Sequence, residues 1–399
     1  MEQPTGLFSR KRFEERIARL ARALSALPGG FDTALIVGRI NQYYLTGTMQ
    51  DGVFVLRSDG SHTLYVRKSY ERAREESPLH NIIEMMSYRD MLSGLPEHLG
   101  VTYIDTEVMP LAMLERMRKY FHWSEILSLD RPMADLRAVK DSDELALLEE
   151  AGLRHQALLE CTVPALLKEG MSEADLAADI YAAMVKGGHH GLTRFAMFQA
   201  EMVAGQISLG ENSLYPTNFN GPDGARGLHP ASPVLGSRDR FLGRGDLVFV
   251  DVGYGFLGYH SDKTQVYCFG ADPPERAIEI HEACRAVLHK AAGLIRPGVT
   301  AAEVYDNALA DRPAVLSKHF MGYGNSSVRF LGHGIGLQID ESPVITTTNK
   351  TPLEQGMVIA LEPKCGVEGV GLVGVEESYA IGPDGPRCLT GGDKPIIRV

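Results

Sequence analysis

Four carboxylates lie within or directly beside strand-like apolar runs in the second half of the chain, and this arrangement constrains the fold more than any other feature. A buried strand that carries a carboxylate needs a partner for it, because burying an unpaired charge is costly. One such aspartate could be a solvated strand-end residue, but four segments together favour a shared site. The residues are Asp251 in LVFVDVG, Asp262 in YHSDKT, Glu362 in MVIALEP and Glu376 in VGVEES.

The two aspartates are predicted to face each other across a β-hairpin. Both segments are rich in β-branched and aromatic residues, and three glycines between them supply a turn centred near Phe256 and Leu257. Opposed residues on one face have Cβ atoms about 4.5–5.5 Å apart, so Asp251 and Asp262 could hold one ion or two neighbouring ions. The glycines also match GxGxxG, but a strand-like segment follows them, which favours a hairpin turn over a dinucleotide loop.

An imidazole completes the candidate ligand set. His333, in FLGHGIG, joins the four carboxylates. Hard oxygen donors with one nitrogen favour two divalent ions, Mn, Co, Fe or Zn, over a thiolate-type site. Two such ions about 3.5–4 Å apart can share a hydroxide and polarise a carbonyl. The predicted chemistry is therefore amide hydrolysis.

These motifs resemble those of the creatinase/prolidase/aminopeptidase P metallopeptidases, the pita-bread family. The segments FDTALIVG, NQYYLTG and VFVLRSDGSHTLYV resemble that family's smaller domain, and ADLRAVKDSDELALLEEAG resembles its entry into the catalytic domain. The resemblance spans nearly the full length. It implies an α+β fold, with a small N-terminal α/β domain over residues 1–133 and a pita-bread catalytic domain over residues 134–399.

The resemblance also implies a role for each ligand. Asp251 would bind one metal through both oxygens, and Asp262 and Glu376 would bridge the two ions. His333 and Glu362 would complete the other metal site, and Glu362 would act as general base. The implied activity is that of an Xaa-Pro aminopeptidase or dipeptidase that uses a metal-bridging hydroxide, with manganese among the candidate ions. Because family members are often dimers, a homodimer is expected.

Three positions depart from the family pattern. The second histidine, expected seven residues after the metal histidine, is Asp340, a further expected histidine is Thr217, and the arginine before the last glutamate is Gly374. The missing groups normally bind the substrate and stabilise the tetrahedral intermediate. The metal set is thus intact, whereas the proline-peptide recognition shell is not. Two alternatives follow: a non-peptidase enzyme on this fold, such as an atypical C–N hydrolase or a lyase, and a non-catalytic binding protein.

Residues that could replace the missing groups are few. His260 shares a strand face with Asp262 and could reach substrate, or it could simply pack beside neighbouring tyrosines. His229 lies in the glycine- and proline-rich loop 218–237, as a functional or a merely exposed residue. Thr217 precedes that loop.

Asp340 is a further candidate for substrate binding. Its carboxylate could select a cationic group on the substrate. Alternatively, it could cap the turn before Pro343.

Composition limits the partners. A net charge of −11 argues against nucleic acid or an anionic membrane, so the expected partner is a peptide or small amide substrate. No apolar stretch approaches the roughly 18 residues of a membrane span, and the amino terminus lacks the apolar core of a signal peptide. Five cysteines without CxxC spacing indicate reduced thiols. The cytoplasm is the expected location.

Local patterns predict several elements that the structure can test. Apolar periodicity predicts helices over 10–27, 172–185 and 274–294. A hairpin is predicted around residues 57–60. Ser142 is the predicted N-cap of the helix that opens the catalytic part.

Overall fold

The structure, a computed structural model, describes residues 9–197, 200, 202–233 and 236–399. The chain divides into two compact units, Met1–Arg137 and Ala138–Val399, a few residues after the predicted division at residue 133. The amino-terminal segment 1–8, where no signal-peptide core is expected, lies outside the described residues. So do Val234 and Leu235 of the predicted loop 218–237.

The first unit is built on a mixed sheet. Its strands are β1 (Thr33–Ile36), β2 (Gly52–Arg57), β3 (His62–Val66), β4 (Ile82–Glu84), β5 (His98–Ile104) and β6 (His122–Ser128). Their order in the sheet is β4-β3-β2-β1-β5-β6. Strands β1, β2 and β3 pair antiparallel, whereas β4, β5 and β6 each join in parallel.

The helices of the first unit are α1 (Arg10–Ser25), α2 (Arg39–Thr46), α3 (Tyr70–Glu76), α4 (Leu111–Met117) and α5 (Asp130–Ala138), with a 3₁₀ turn over Tyr88–Ser93. Helix α1 confirms the helix predicted over 10–27, and its apolar residues Phe13, Ile17 and Leu20 are buried. The hairpin predicted around residues 57–60 is β2–β3.

The second unit contains most of the antiparallel pairing. Its strands are β7 (Gly205–Leu209), β8 (Leu247–Phe256), β9 (Tyr259–Cys268), β10 (Gly322–Tyr323), β11 (Ser326–Ser327), β12 (Gly332–Gly334), β13 (Glu341–Ile345), β14 (Val358–Leu361), β15 (Lys364–Val367), β16 (Gly371–Gly374), β17 (Glu377–Gly382), β18 (Gly385–Cys388) and β19 (Ile397–Arg398). These strands form two sheets and two separate hairpins. The sheets have the orders β19-β9-β8-β7 and β13-β12-β14-β17-β18, and the hairpins are β15–β16 and β10–β11.

The helices of the second unit are α6 (Ser142–Ala157), α7 (Val163–Leu166), α8 (Glu173–Lys186), α9 (Glu275–Leu294) and α10 (Ala301–Leu309). A π-helical turn over Leu158–Thr162 joins α6 to α7, and 3₁₀ turns cover Gly210–Leu214 and Ala314–Leu316. The helices predicted over 172–185 and 274–294 are confirmed as α8 and α9. Within the described residues, no helix has the length and apolar character needed to cross a bilayer.

Strand β8 is buried on both faces, which explains its nearly unbroken apolar sequence. Phe249 belongs to the core formed with α9 and α10. Val248 and Val250 belong instead to the core formed with α8. Because side chains alternate along a strand, Asp251 lies on the face of Phe249, beyond the edge of the α9 core.

Asp141, not the predicted Ser142, is the N-cap of α6. The side chain of Asp141 accepts from the backbone N–H groups of Asp143 and Glu144, each at 3.0 Å, and the Glu144 carboxylate accepts from the Asp141 N–H at 2.9 Å. This reciprocal pair needs an acidic or amide side chain three residues after the cap. Asp141 has Glu144 at that position, whereas Ser142 has a leucine.

The cap can be tested by stability measurements. We expect Asp141→Ala to lower the free energy of unfolding of the second unit by about 1 kcal/mol, because two helix N–H groups lose their acceptor. Ser142→Ala is the matched control and should cost less than about 0.5 kcal/mol. Urea unfolding followed by far-UV circular dichroism measures both. Equal losses in the two variants would contradict the assignment of Asp141.

Candidate functional site

The five predicted ligands converge on one cavity in the second unit. Asp251 and Asp262 come from β8 and β9, and His333 from β12. Glu362 directly follows β14, and Glu376 directly precedes β17. All five line a cavity of about 200 Å³, several times the roughly 30 Å³ that one water occupies in the liquid. The cavity therefore has room for a substrate group beside the ligands.

The hairpin that carries the two aspartates is shifted by one residue at its turn from the prediction. Its turn residues are Leu257 and Gly258, both with positive φ (46° and 100°), and Asp251 pairs with Thr264 rather than Asp262. Two positive-φ residues are what a tight hairpin turn requires. Asp251 and Asp262 are therefore diagonal neighbours on one face and not directly opposed.

Contacts between the two sheets hold Glu376 and Asp262 in place. The Thr264 N–H donates to the Glu376 carbonyl at 3.3 Å, and the Thr264 hydroxyl donates to Glu376 Oε2 at 3.1 Å. The Ser378 hydroxyl donates to the Asp262 carbonyl at 2.9 Å. A ligand from each sheet is thus tied to the other sheet.

Lys364 lies in the middle of the carboxylates. Its Nζ donates to Asp251 Oδ2 at 2.5 Å, Glu376 Oε2 at 2.8 Å and Glu362 Oε2 at 2.9 Å. The side chain is only 1% exposed. Burial lowers the pKa of Lys364, but the charges of the three carboxylates outweigh this and hold its pKa well above the usual value. The lysine is therefore a buried cation.

The His333 side of the cluster has the donors of a divalent-ion site. His333 Nε2 lies 3.5 Å from Glu362 Oε1, 3.7 Å from Glu376 Oε1 and 4.0 Å from Asp262 Oδ2. Two atoms bound at about 2.0–2.2 Å to one ion lie roughly 3–4 Å apart. Asp262, His333 and Glu376 offer ligand atoms that are all within 4.8 Å of one another. The spacing suits ligands around a shared ion better than direct hydrogen bonds.

Two further observations agree with an ion at this place. His333 Nδ1 is 3.1 Å from the Gly334 carbonyl, so the proton belongs on Nδ1 and the Nε2 lone pair faces the carboxylates. Glu376 Oε1 is buried and has no hydrogen-bond partner among the described residues. A lone pair and an unpartnered carboxylate oxygen that face each other need a cation between them. These residues fit a divalent metal ion.

Asp223, an acidic residue outside the predicted ligand set, also lines the cavity. It is 5% exposed, and neither of its carboxylate oxygens accepts a hydrogen bond from another described residue. Burial raises the pKa of Asp223 well above its usual value, and the nearby charge of Asp251 raises it further. Pairing of Pro216 with Gly224, and a 2.9 Å hydrogen bond from the Ser208 hydroxyl to the Gly224 carbonyl, fix the loop next to it.

Burial and mutual repulsion also act on the predicted ligands. Burial, followed by the charge of Asp251, raises the pKa of Asp262 well above its usual value. For Glu376 the causes are burial and then the charge of Asp262. Lys364 offsets these shifts only in part, because one ammonium faces five clustered carboxylates. The negative charge of the clustered carboxylates therefore exceeds the positive charge that Lys364 supplies.

Asp340 is positioned by a backbone segment. It lines the cavity, and its carboxylate accepts from the Ala196 N–H at 2.6 Å and the Met197 N–H at 3.3 Å. The expected alternative was a cap for the turn before Pro343, but Asp340 caps residues 196–197. Both oxygens hold the cavity wall in place.

His260 is enclosed away from the cavity. Its ring is completely buried, lies 3.2 Å from the Gly336 carbonyl through Nδ1 and accepts from the Arg194 N–H at 3.4 Å through Nε2. Burial lowers the pKa of His260 to about 4. The described residues that line the cavity do not include it. This position does not support the predicted contact with substrate and agrees with the alternative that His260 packs in the interior. Its ring neighbour is His190, with 4.8 Å between the ring centroids, and not the expected tyrosines.

The remaining predicted residues are not in the described lining of the cavity. His229 is exposed, and its Nδ1 accepts from the Ala231 N–H at 3.1 Å within the same loop. The Thr217 hydroxyl accepts from the Phe219 N–H at 3.1 Å, and Thr217 lines a small adjacent cavity. Neither residue contacts the ligand cluster in this structure.

Lys364 and Asp223 are the residues that sequence reasoning missed. A signal existed for Lys364, because a charged residue directly after Glu362-Pro363 opens the otherwise buried strand Lys364–Val367. For Asp223 the loop itself was singled out, but a histidine in it was preferred to the aspartate. No local pattern indicates that this loop carries a carboxylate into the cavity.

Comparison with known proteins agrees with these features. A family model described as metallopeptidase family M24 matches residues 146–383, and one described as the creatinase/prolidase N-terminal domain matches residues 16–139. The chain is 28% identical over 371 residues to an Xaa-Pro dipeptidase of Pyrococcus horikoshii, covering 92% of this chain and 94% of that protein. It is also 28% identical over 389 residues to an Xaa-Pro dipeptidase of Pyrococcus furiosus, covering 96% and 100%.

Solved structures show the same architecture. The prolidase from Pyrococcus horikoshii superposes with a TM-score of 0.78 at 25% identity, covering 96% of this chain and all of that one. The matches support an enzyme and not the binding protein considered as an alternative. The chain belongs to metallopeptidase family M24: it is a metallopeptidase with a creatinase/prolidase-type amino-terminal domain and a pita-bread catalytic domain.

Proposed function

We propose that this metallopeptidase removes the amino-terminal residue from peptides with proline in the second position. The two Pyrococcus relatives are Xaa-Pro dipeptidases, which supports the proline requirement. The observation that carries the preference for longer peptides is the charge of the cavity. Its described lining has several carboxylates and contains neither lysine nor arginine. A free carboxylate on proline, as in a dipeptide, would be repelled there.

Much of the rest of the wall is apolar and suits a substrate side chain and a pyrrolidine ring. Burying such groups against it is favourable by about 25 cal/mol per Å² of apolar surface. The apolar lining residues are Phe195, Met197, Met202, Ala204, Phe219, Val252, Phe330, Ile339 and Val344.

Asp223 is the proposed acceptor for the substrate's α-ammonium group. Both of its oxygens are buried without a partner among the described residues, and it lies in the lining of the cavity. A substrate ammonium supplies the hydrogen-bond donors that the carboxylate lacks and neutralises its charge. Binding is thereby tied to a free amino terminus.

Glu362 is the proposed general base and acid. Its Oε2 accepts from Lys364 at 2.9 Å, so Oε1, next to His333, is the oxygen left to receive a proton. Oε1 takes the proton from the attacking water and delivers it to the leaving nitrogen. Asp262, His333 and Glu376 would hold a divalent ion, which would supply Lewis-acid polarisation of the carbonyl and favour water as a nucleophile at neutral pH.

We keep three further expectations from the sequence as proposals. Manganese is the proposed ion, and a homodimer is the proposed assembly. The proposed location is the cytoplasm, because its reducing conditions suit a protein with five free cysteines. The two-ion mechanism with a bridging hydroxide also stays a prediction, and the position of Lys364 bears on it.

The peptide preference can be measured by mass spectrometry on a panel of peptides. We expect the manganese-loaded enzyme to cleave Xaa-Pro-led peptides of three or more residues. N-acetylated copies and Xaa-Pro dipeptides should be poor substrates, because they lack the ammonium or add a carboxylate. Dipeptides cleaved as well as longer peptides would contradict the proposal and favour the dipeptidase alternative. No cleavage of any peptide would favour the C–N hydrolase or lyase alternative.

Glu362→Gln provides the catalytic control for this panel. Removing a general base costs typically 10²–10⁴-fold in rate, so we expect kcat to fall by about that factor. Because glutamine keeps the side-chain size and one oxygen, the protein should remain folded. Retention of wild-type kcat would contradict the role of Glu362.

Asp223 can be tested by kinetics on one good peptide. We expect Asp223→Asn to lower kcat/KM about 10- to 100-fold, mostly through a higher KM, because a charge-assisted hydrogen bond is worth roughly 1.5–3 kcal/mol. His229→Ala, on the exposed part of the same loop, is the matched control and should leave kinetics unchanged. An unchanged KM in the Asp223 variant would contradict its role, and a loss in the His229 variant would restore that residue as a candidate.

A further inference from the structure

Lys364 holds three carboxylates with all of its hydrogen-bonding capacity. An ammonium group has three N–H donors, and Nζ contacts one oxygen each of Asp251, Glu362 and Glu376 at 2.5–2.9 Å. No donor is left for substrate. The lysine is therefore a positioning residue that supplies charge to the centre.

Two of these oxygens belong to the ligands of one expected ion. The family resemblance implies that Asp251 binds one metal and that Glu376 bridges. An ion that bound Asp251 Oδ2 and Glu376 Oε2 at about 2.0–2.2 Å would have to occupy the position in which Nζ now contacts both atoms. The ammonium and that ion exclude each other by size and by charge.

The lysine is held in an enclosed position. Its backbone pairs with Gly374 in the hairpin β15–β16, and its side chain is enclosed. Moving the ammonium away would leave a buried charge without a partner, which is strongly unfavourable.

Gly374 leaves the room that the lysine needs. Its φ is 139°, and a Cβ there would lie 2.4 Å from the Pro363 carbonyl oxygen and 3.1 Å from Lys364 Cγ. The family's arginine at this position is incompatible with that backbone and that neighbour. Gly374, where the family has an arginine, and the Lys364 side chain are thus sterically linked.

The other half of the centre remains available to an ion. Glu376 divides its oxygens, with Oε2 on Lys364 and Oε1 unpartnered among the described residues. Oε1, Asp262 Oδ2 and Glu362 Oε1 all face His333 Nε2 within 4.0 Å. A glutamate that would bridge two ions instead joins an ammonium to one ion.

We propose that the Lys364 ammonium replaces one of the two divalent ions, so that the centre binds a single ion through Asp262, His333 and Glu376, with Glu362 beside it. The inference deepens the proposed function and rests on its metal site. Asp251 then serves as an ion-pair partner of Lys364 and not as a metal ligand.

Metal content and spectroscopy test this without reference to activity. The full chain is saturated with Mn²⁺ and freed of excess, and bound manganese is counted by mass spectrometry and by calorimetric titration. We expect about one ion per chain and the electron paramagnetic resonance spectrum of an isolated ion. Two ions per chain with an exchange-coupled spectrum would overturn the proposal.

Two variants test whether Lys364 limits the number of bound Mn²⁺ ions. Lys364→Met removes the ammonium at similar length, and we expect it to gain a second Mn²⁺ and a coupled spectrum. Lys263→Met is the matched control, because Lys263 is equally buried but pairs with Glu377, and its count should stay at one. A Lys364→Met protein that stays at one ion would overturn the proposal.

Asp251→Asn keeps the test decisive if Lys364→Met fails to fold. As an ion-pair partner, Asp251 should be replaceable without loss of the single ion, whereas loss of that ion would contradict the assignment. The peptide panel separates this inference from the proposed function. One bound ion without cleavage contradicts only the function, and two bound ions with cleavage contradict only the inference.

Discussion

The catalytic unit depends on one constraint, which is the neutralisation of carboxylates that are buried together. Five of them gather at one cavity, and burial together with mutual repulsion raises the pKa of Asp223, Asp262 and Glu376. Lys364 is the cation that the chain itself provides. The remaining demand for positive charge accounts for both the metal-binding character of the centre and its proposed preference for a substrate ammonium.

The fold meets this constraint by bringing strands from two sheets to one place. The β8–β9 hairpin contributes two aspartates, and the second sheet contributes His333 and the two glutamates. Thr264 joins the sheets through Glu376. The core around α9 packs on the face of β8 that carries Phe249, and Asp251 lies on the same face two residues later. Hydrophobic packing of the strand therefore positions Asp251, although it does not stabilise the charge.

The departures from the family pattern form a consistent set. Gly374 leaves room for Lys364, and Asp340 replaces a histidine while holding the wall at residues 196–197. The cavity loses groups that would bind a carboxylate and keeps groups that bind cations. Under the proposed function, this M24 metallopeptidase keeps its hydrolytic centre and selects substrates by their amino end and their apolar surface.

The sequence by itself determined the candidate ligands, the strands that carry them, the family and the two-part organisation. Each of these depends on local pattern: a carboxylate beside an apolar run, a glycine-rich turn or a helical repeat. The tertiary structure decided what depends on distance. It shifted the hairpin pairing from Asp262 to Thr264 opposite Asp251, since the turn geometry selects Leu257 and Gly258. It enclosed His260 behind the wall, although strand parity placed it on the ligand face. It brought Asp223 to the ligand cluster and Lys364 to Asp251, and no spacing rule connects residues that far apart in the chain.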